Sequence, residues 1–94
     1  MHIVARDSTI DKKLKKFKSN KTIIDGYFRV LEELKITQDP RTISERKHGI
    51  YRNCHAIHIT KNHSLLYIYY PEQNLVQLID LDDHKNLYGR DNKS

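Results

Sequence analysis

Ninety-four residues with a net charge of +5, 37% hydrophobic and 31% charged, suit one small folded domain with a single modest core better than a disordered chain. The longest apolar run, Leu65 to Tyr70, is strand-sized, and the first residues hold no apolar leader segment, so no membrane span or secretory signal is expected. The lone Cys54 excludes an internal disulfide and suits a reducing cytoplasm.

In chain order, His2 to Ala5 reads as a short strand. Asp7 or Ser8 can cap a helix whose apolar stripe is Ile10, Leu14 and Phe17 among lysines. Ser19-Asn20 breaks it, and a second helix follows from about Lys21 to Lys35. Its apolar face is Ile23, Ile24, Tyr27, Phe28, Leu31 and Leu34. So short a link predicts an antiparallel helical hairpin. Thr37 to Glu45, with Asp39-Pro40, reads as a loop.

Three strands come next, roughly Tyr51–Ile59, Ser64–Tyr70 and Leu75–Asp82, joined by short polar links, as in an antiparallel meander. The predicted fold class is α+β, order β-α-α-β-β-β, with the helical hairpin packed on one face of a small antiparallel sheet. The opposite face is expected to have no second layer. Residues 1–94 form one domain on this reading, with Arg90 to Ser94 a frayed tail.

The basic residues cluster in Lys12 to Lys21 and again in Arg41, Arg46, Lys47 and Arg52. A lysine run alone often serves only as a solvated helix face, but the bias of the whole domain favours a polyanionic partner.

Four of the six histidines, His55, His58, His63 and His84, lie in or beside the strands. Imidazole exchanges protons near neutral pH, so histidines at strand ends on a basic domain suggest acid–base chemistry on a phosphodiester. Strand alternation places Arg52, Cys54, Ala56 and His58 on the open face, with His55, Ile57 and Ile59 towards the core. Taken singly, each histidine has a plain alternative: His58 at a strand end, His63 in a hairpin, His84 in a terminal turn. His48 sits in a basic loop that could clamp phosphates. One cysteine and irregular histidine spacing do not make a zinc site, and no Gly-rich phosphate loop or other cofactor motif is present, so no metal or cofactor is expected. The strand tyrosines are read chiefly as packing residues.

His58-Ile59-Thr60-Lys61-Asn62-His63-Ser64-Leu65-Leu66-Tyr67, followed by Asp83-His84-Lys85-Asn86-Leu87-Tyr88-Gly89, resembles the RelE/StbE superfamily of bacterial toxins. The YafQ-like branch fits best, and the element order is also that of a RelE-like fold. The resemblance implies the toxin of a type II toxin–antitoxin system: a cytoplasmic, ribosome-dependent endoribonuclease (mRNA interferase) cutting mRNA in the A site. Its partners would be a cognate antitoxin and the ribosome with bound mRNA, with DNA reached only through the antitoxin complex.

Carried over by position, His58 matches the family's strand histidine, His84 its C-terminal catalytic histidine and Tyr88 its site aromatic; His58 is read as the catalytic partner of His84, while His63 could stand in for a missing acid. Arg52, Lys61, Asn62, Lys47, His48 and Arg46 would contact RNA phosphates. Two departures stand out. Asn62 and Ala56 replace acidic residues, and His63 replaces a Trp or similar residue. Reading Tyr51 to His55 as the family's Tyr-Arg-Asp-x-His would make His55 the equivalent instead. An inactive RelE-like module that binds RNA, the ribosome or a partner is the alternative those departures suggest, and a lone DNA-binding module is a second.

Overall fold

The computed structural model describes residues 1–44 and 54–88, omitting the side chain of Tyr88. Arg46, Lys47, His48 and Arg52 therefore lie outside the described residues. Strand β1 (Ile3–Ala5) leads into α1 (Ser8–Lys16) and α2 (Lys21–Ile36). Strands β2 (His55–His58), β3 (His63–Tyr70) and β4 (Leu75–Asp83) follow, and α3 (His84–Tyr88) comes last. Among the described residues no helix is long and apolar enough to cross a membrane.

Side-chain caps start both long helices. Asp7 accepts hydrogen bonds from the backbone N–H groups of Thr9 and Ile10, and Asn20 accepts one from Ile23. The α1 stripe buries Ile10 fully, and α2 buries Ile23, Tyr27, Val30 and Leu34 against Ile57, Ile59, Leu65, Tyr67, Val76, Leu78 and Leu81 of the sheet. Each such side chain contributes about 1.5–3 kcal/mol of transfer free energy, which makes this interface the main source of stability. Phe28, expected in the apolar face, is instead half exposed, with its ring edge-on to Tyr27.

The sheet order is β1-β4-β3-β2. Strands β2, β3 and β4 form the expected antiparallel meander. Strand β1 joins the edge of β4 in parallel, so the sheet is mixed. The helical hairpin together with β2 and β3 lies between the two in the chain, so this parallel pair has the long connection it needs. The chain turns from β3 to β4 through a short 3-10 segment, Pro71–Gln73, that ends on Asn74 in the left-handed region at φ 50°. Asparagine tolerates that conformation better than most residues.

Two local features place the site. Gly26 of α2 lies directly against the carbonyl of Ile59, where any Cβ would collide with backbone. Glycine lets α2 come close to the end of β2. Ile79 of β4 is a bulge: Leu66 pairs with Asp80, and Tyr67 pairs with Leu78. Val76 and Leu78 face the helices, and the extra residue flips the phase, so Leu81 faces them next. Asp80 and Asp82 are thereby turned to the other side.

The second face is not left bare. Ala56 and Leu66 are buried together with Leu87 of α3, and Ile79 packs against them. The turn expected around His84 is a short helix started by Asp83, whose carboxylate accepts the backbone N–H of Asn86 at 2.8 Å. That cap and one buried leucine explain why five residues become helical.

Candidate functional site

His58 ends β2 on the face opposite the helical hairpin, and it is exposed. Its strand partner is Ser64, and Ser64 pairs in turn with Asp82. His58, Ser64 and Asp82 therefore form a row across three strands, all on one face. His84 begins α3 at the end of this row. Its ring centroid is 4.9 Å from that of His58, with the planes at 60°. Thus the two histidines matched by the resemblance lie side by side, although they are 26 positions apart in the chain.

His84 is fixed from two sides. Its backbone N–H donates to the carbonyl of Asn62 at 2.9 Å. Its Nε2 lies 2.8 Å from the Ser64 hydroxyl, and Ser64 is 2% exposed. Asn62, expected to contact RNA, thus also supports His84 through its backbone.

Asp82, 3% exposed, anchors the base of the site. Lys13 of α1 reaches it at 2.7 Å and Lys16 at 3.3 Å. The Asp83 backbone N–H and the Asn86 amide also donate to Asp82. Burial alone would push this carboxyl up, but the Lys13 ammonium and the two N–H donors outweigh it and hold the pKa at about 2. The Lys13 ammonium is penalised by burial as well, yet its bonds to Asp82 and Asp80 hold it above the ordinary lysine value.

Two of the helical lysines are therefore structural, whereas Lys12, Lys15 and Lys18 point to solvent. The acids beside His84 also have partners: Asp82 answers α1, and Asp83 caps α3.

A cleft of about 470 Å³ opens between α2 and the end of β2, with Arg29, Glu33, Thr60, Lys61 and His58 on its walls. Arg29 donates to the Ile59 carbonyl at 3.3 Å, beside Gly26. Lys61 is exposed at the hairpin tip, so Arg29 and Lys61 bring positive charge to the cleft that His58 shares.

His63 is placed elsewhere. As Ser64's neighbour it projects to the helix side, where its Nδ1 meets the Thr60 hydroxyl at 2.8 Å and its ring stands edge-on to Phe17. It does not join His58 and His84 and cannot there substitute for an acid between them; its packing against α1 gives the physical reason. His55 also faces the helices, 5.5 Å from the Tyr67 ring and 3.2 Å from the Ser44 hydroxyl, so His58 is the strand histidine on the site face. Ala56, at the other departed position, is core. The Tyr88 side chain lies outside the described residues.

Ser64 was not singled out from the sequence as a partner of His84, nor Asn86 as a partner of Asp82. Ser64 carried a signal: it is the one small polar residue in an otherwise apolar run, a place that usually needs a partner. Among the described residues no three His, Cys, Asp or Glu side chains converge as metal ligands.

No family profile and no curated protein matches the chain. Solved structures do. A metal-bound toxin from Helicobacter pylori superposes with a TM-score of 0.74 at 20% identity, covering 93% of this chain and 99% of that one. The toxin–antitoxin complex RelBE of E. coli gives 0.66 at 17% identity, over 88% and 96% of the two chains. YafQ of E. coli strain BL21(DE3) gives 0.65 at 10% identity, over 95% and 100%. At such identities the likeness speaks for architecture: this chain has the RelE-like fold shared by the RelE and YafQ toxins.

Proposed function

We propose that this protein is the toxin of a type II toxin–antitoxin system, a ribosome-dependent mRNA interferase that cuts mRNA in the A site by metal-independent acid–base catalysis and so inhibits translation. The observation that carries the reading is the His58–His84 pair, 4.9 Å between ring centroids, beside a cleft that bears Arg29 and Lys61. Two imidazoles at that separation can serve both ends of one phosphodiester.

One removes the 2′-OH proton as the P–O2′ bond forms. The other protonates the 5′ oxygen as the P–O5′ bond breaks and takes its electron pair away. Each transfer contributes about 10²–10⁴-fold. His84 is the leading proton-transfer residue and His58 its partner. Lys61 steadies the phosphate charge, as would Arg52, Lys47, Arg46 and His48 if the resemblance carries over to them, and Tyr88 would help organise the site. The ribosome holds the mRNA in an attack-ready geometry. A cognate antitoxin is the expected inhibitor, by analogy with the RelBE complex, and the cytoplasm is where such a target is met.

Primer extension on mRNA bound to translating ribosomes tests this. Discrete A-site cuts by the wild type, lost in His84→Ala and absent on naked RNA, are the expected result. One observation favours the second reading, an inactive RelE-like module that binds RNA or the ribosome. The position at which the family carries an acid is Ala56, a buried residue that clusters with Leu66 and Leu87 and has no group to take or give a proton. Salt-sensitive ribosome binding without cleavage by folded, antitoxin-free protein would establish that alternative.

A further inference from the structure

We propose that the cleft between α2 and the end of β2 is a base-binding subsite, in which Glu33 selects guanine in the nucleotide next to the scissile phosphate. This rests on the reading of the site as a nuclease and deepens it, since His58 lies on the wall of the same cleft.

At about 470 Å³ the cleft falls within the range of roughly 300–1,000 Å³ usual for small-molecule and cofactor sites. Ile43, Ile57 and Ile59 give it an apolar wall against which the flat face of a base can rest, and Arg29, Glu33 and Lys61 supply its charge. Arg29 and Glu33 stand one turn apart on α2, so they share one side of the helix. Glu32, the neighbour of Glu33 in the chain, is tied to Lys35 at 3.7 Å. Among the described residues no ion pair or side-chain hydrogen bond engages the Glu33 carboxylate. Arg29 gives one N–H to the Ile59 carbonyl at 3.3 Å, which holds the guanidinium at the cleft and leaves its other N–H groups to a ligand. The two cations outnumber the one acid, so the cleft still attracts a phosphodiester chain.

Recognition chemistry narrows the base. Unpaired RNA bases are read by stacking on flat groups, guanidinium planes among them, and by hydrogen bonds to their pairing edge. A carboxylate only accepts hydrogen bonds. Guanine presents N1–H and N2–H side by side on that edge, two donors for two oxygens. Adenine, cytosine and uracil each set an acceptor beside a single donor there, and that acceptor would face the carboxylate. Glu33 therefore favours guanine, while Arg29 offers the stacking plane and Lys61 meets the adjoining phosphate.

The test measures single-turnover cleavage of ribosome-bound mRNAs that carry each base in turn at the nucleotides flanking the cut. Wild type and Glu33→Gln are compared, and thermal unfolding checks that both are folded. The wild type should cut with guanine at one flanking position on the order of 10- to 100-fold faster than with the other bases, the scale of one well-made bidentate contact. Glu33→Gln replaces one acceptor oxygen with a donor amide. It should slow the guanine substrate until the bases are level. Titration of the free protein with GMP, AMP, CMP and UMP, followed by NMR of the backbone amides, reads the same preference without the ribosome. GMP should bind most tightly, and Glu33→Gln should remove its advantage.

Cleavage indifferent to both flanking bases overturns the proposal. So does a guanine preference that Glu33→Gln leaves intact, since it would then belong to the ribosome or to another part of the chain. A wild type that cuts nothing defeats the nuclease reading instead. The titration then decides the subsite, and equal binding of the nucleotides, or none, overturns it.

Discussion

The two faces of the sheet come from the same alternating strands yet are used in opposite ways. On the helix side, Leu65, Tyr67, Val76, Leu78 and Leu81 meet Ile10, Ile23, Tyr27, Val30 and Leu34 in one continuous core. On the other side three buried residues, Ala56, Leu66 and Leu87, hold down a five-residue helix, and the rest of the row is His58, Ser64, Asp82 and His84. One face supplies stability. The other spends its positions on polar groups that need exact partners, and it can do so because the first face already secures the fold.

Substitutions should separate the two. The largest expected effect is on rate: His84→Ala should slow single-turnover cleavage by about 10²–10⁴-fold, with a stability loss of no more than about 1–3 kcal/mol from the buried Ser64 hydroxyl that loses its imidazole partner. A fully active His84→Ala would remove the site as assigned. The next pair sets face against face. Leu65→Ala opens a cavity in the main core and should cost about 2–5 kcal/mol, read from urea unfolding. Leu87→Ala should fall at or below the low end of that range, because it unseats a short helix at the sheet's margin. It should nevertheless slow cleavage more than Leu65→Ala does, since His84 begins that helix. Equal stability losses with equal effects on cleavage would mean that the faces are not separate in function.

How far these roles were legible in the sequence differs between the faces for the same reason. The helical hairpin could be read because Ile23, Tyr27 and Leu34 recur at helical spacing, Asp7 sits where a cap belongs and Ser19-Asn20 breaks the pattern. The parity that sends His58 outward and Ile57 inward was also legible, being fixed by period-two geometry. Three features were less accessible. Strand β1 has three residues, too few to show that it pairs with β4 in parallel. The helix α3 is shorter than two turns, so no periodicity could betray it. The bulge at Ile79 left a trace, the adjacent apolar pair Leu78-Ile79, but only the observed register shows that the phase changes there and sends Asp80 and Asp82 to the site face. His63, expected as a stand-in for a missing acid, lies on the helix side against Thr60 and Phe17, because neighbours on a strand face opposite ways and Ser64 faces the site.

Asp82 joins the faces, since lysines from α1 on one side hold a carboxylate on the other. Its folded pKa of about 2 lies below the ordinary aspartate value of 3.8. A depressed carboxylate pKa adds stability that is fully present above the unfolded value and is lost as the pH falls towards the folded one. At about 1.4 kcal/mol per pH unit the contribution comes to roughly 2 kcal/mol. Urea unfolding should therefore show the wild type losing on the order of 2 kcal/mol through this group between pH 5 and pH 2. Asp82→Asn should be less stable at pH 7 and should lack that part of the acid slope. An unchanged slope would mean that the Lys13 and Lys16 contacts do not persist in solution. Cleavage should weaken as well, because Asn86 and the start of α3 rest on the same carboxylate.

The smallest effect tests whether the link through α1 is local to Lys13 and Lys16. Asp7 caps the far end of that helix, accepting from the N–H groups of Thr9 and Ile10. Asp7→Ala should cost about 1 kcal/mol, the usual value of such a cap. The fraying it causes is confined to the first turn, while Ile10 in the core and the two lysines further along keep the rest of α1 on β4. Stability should fall by that amount and the cleavage rate should stay at the wild-type level. A slower enzyme at so modest a loss of stability would show that the whole of α1, and not only its lysine turn, sets the position of His84. The separation between a core face and a face that carries the proposed site would then have to be redrawn around that helix.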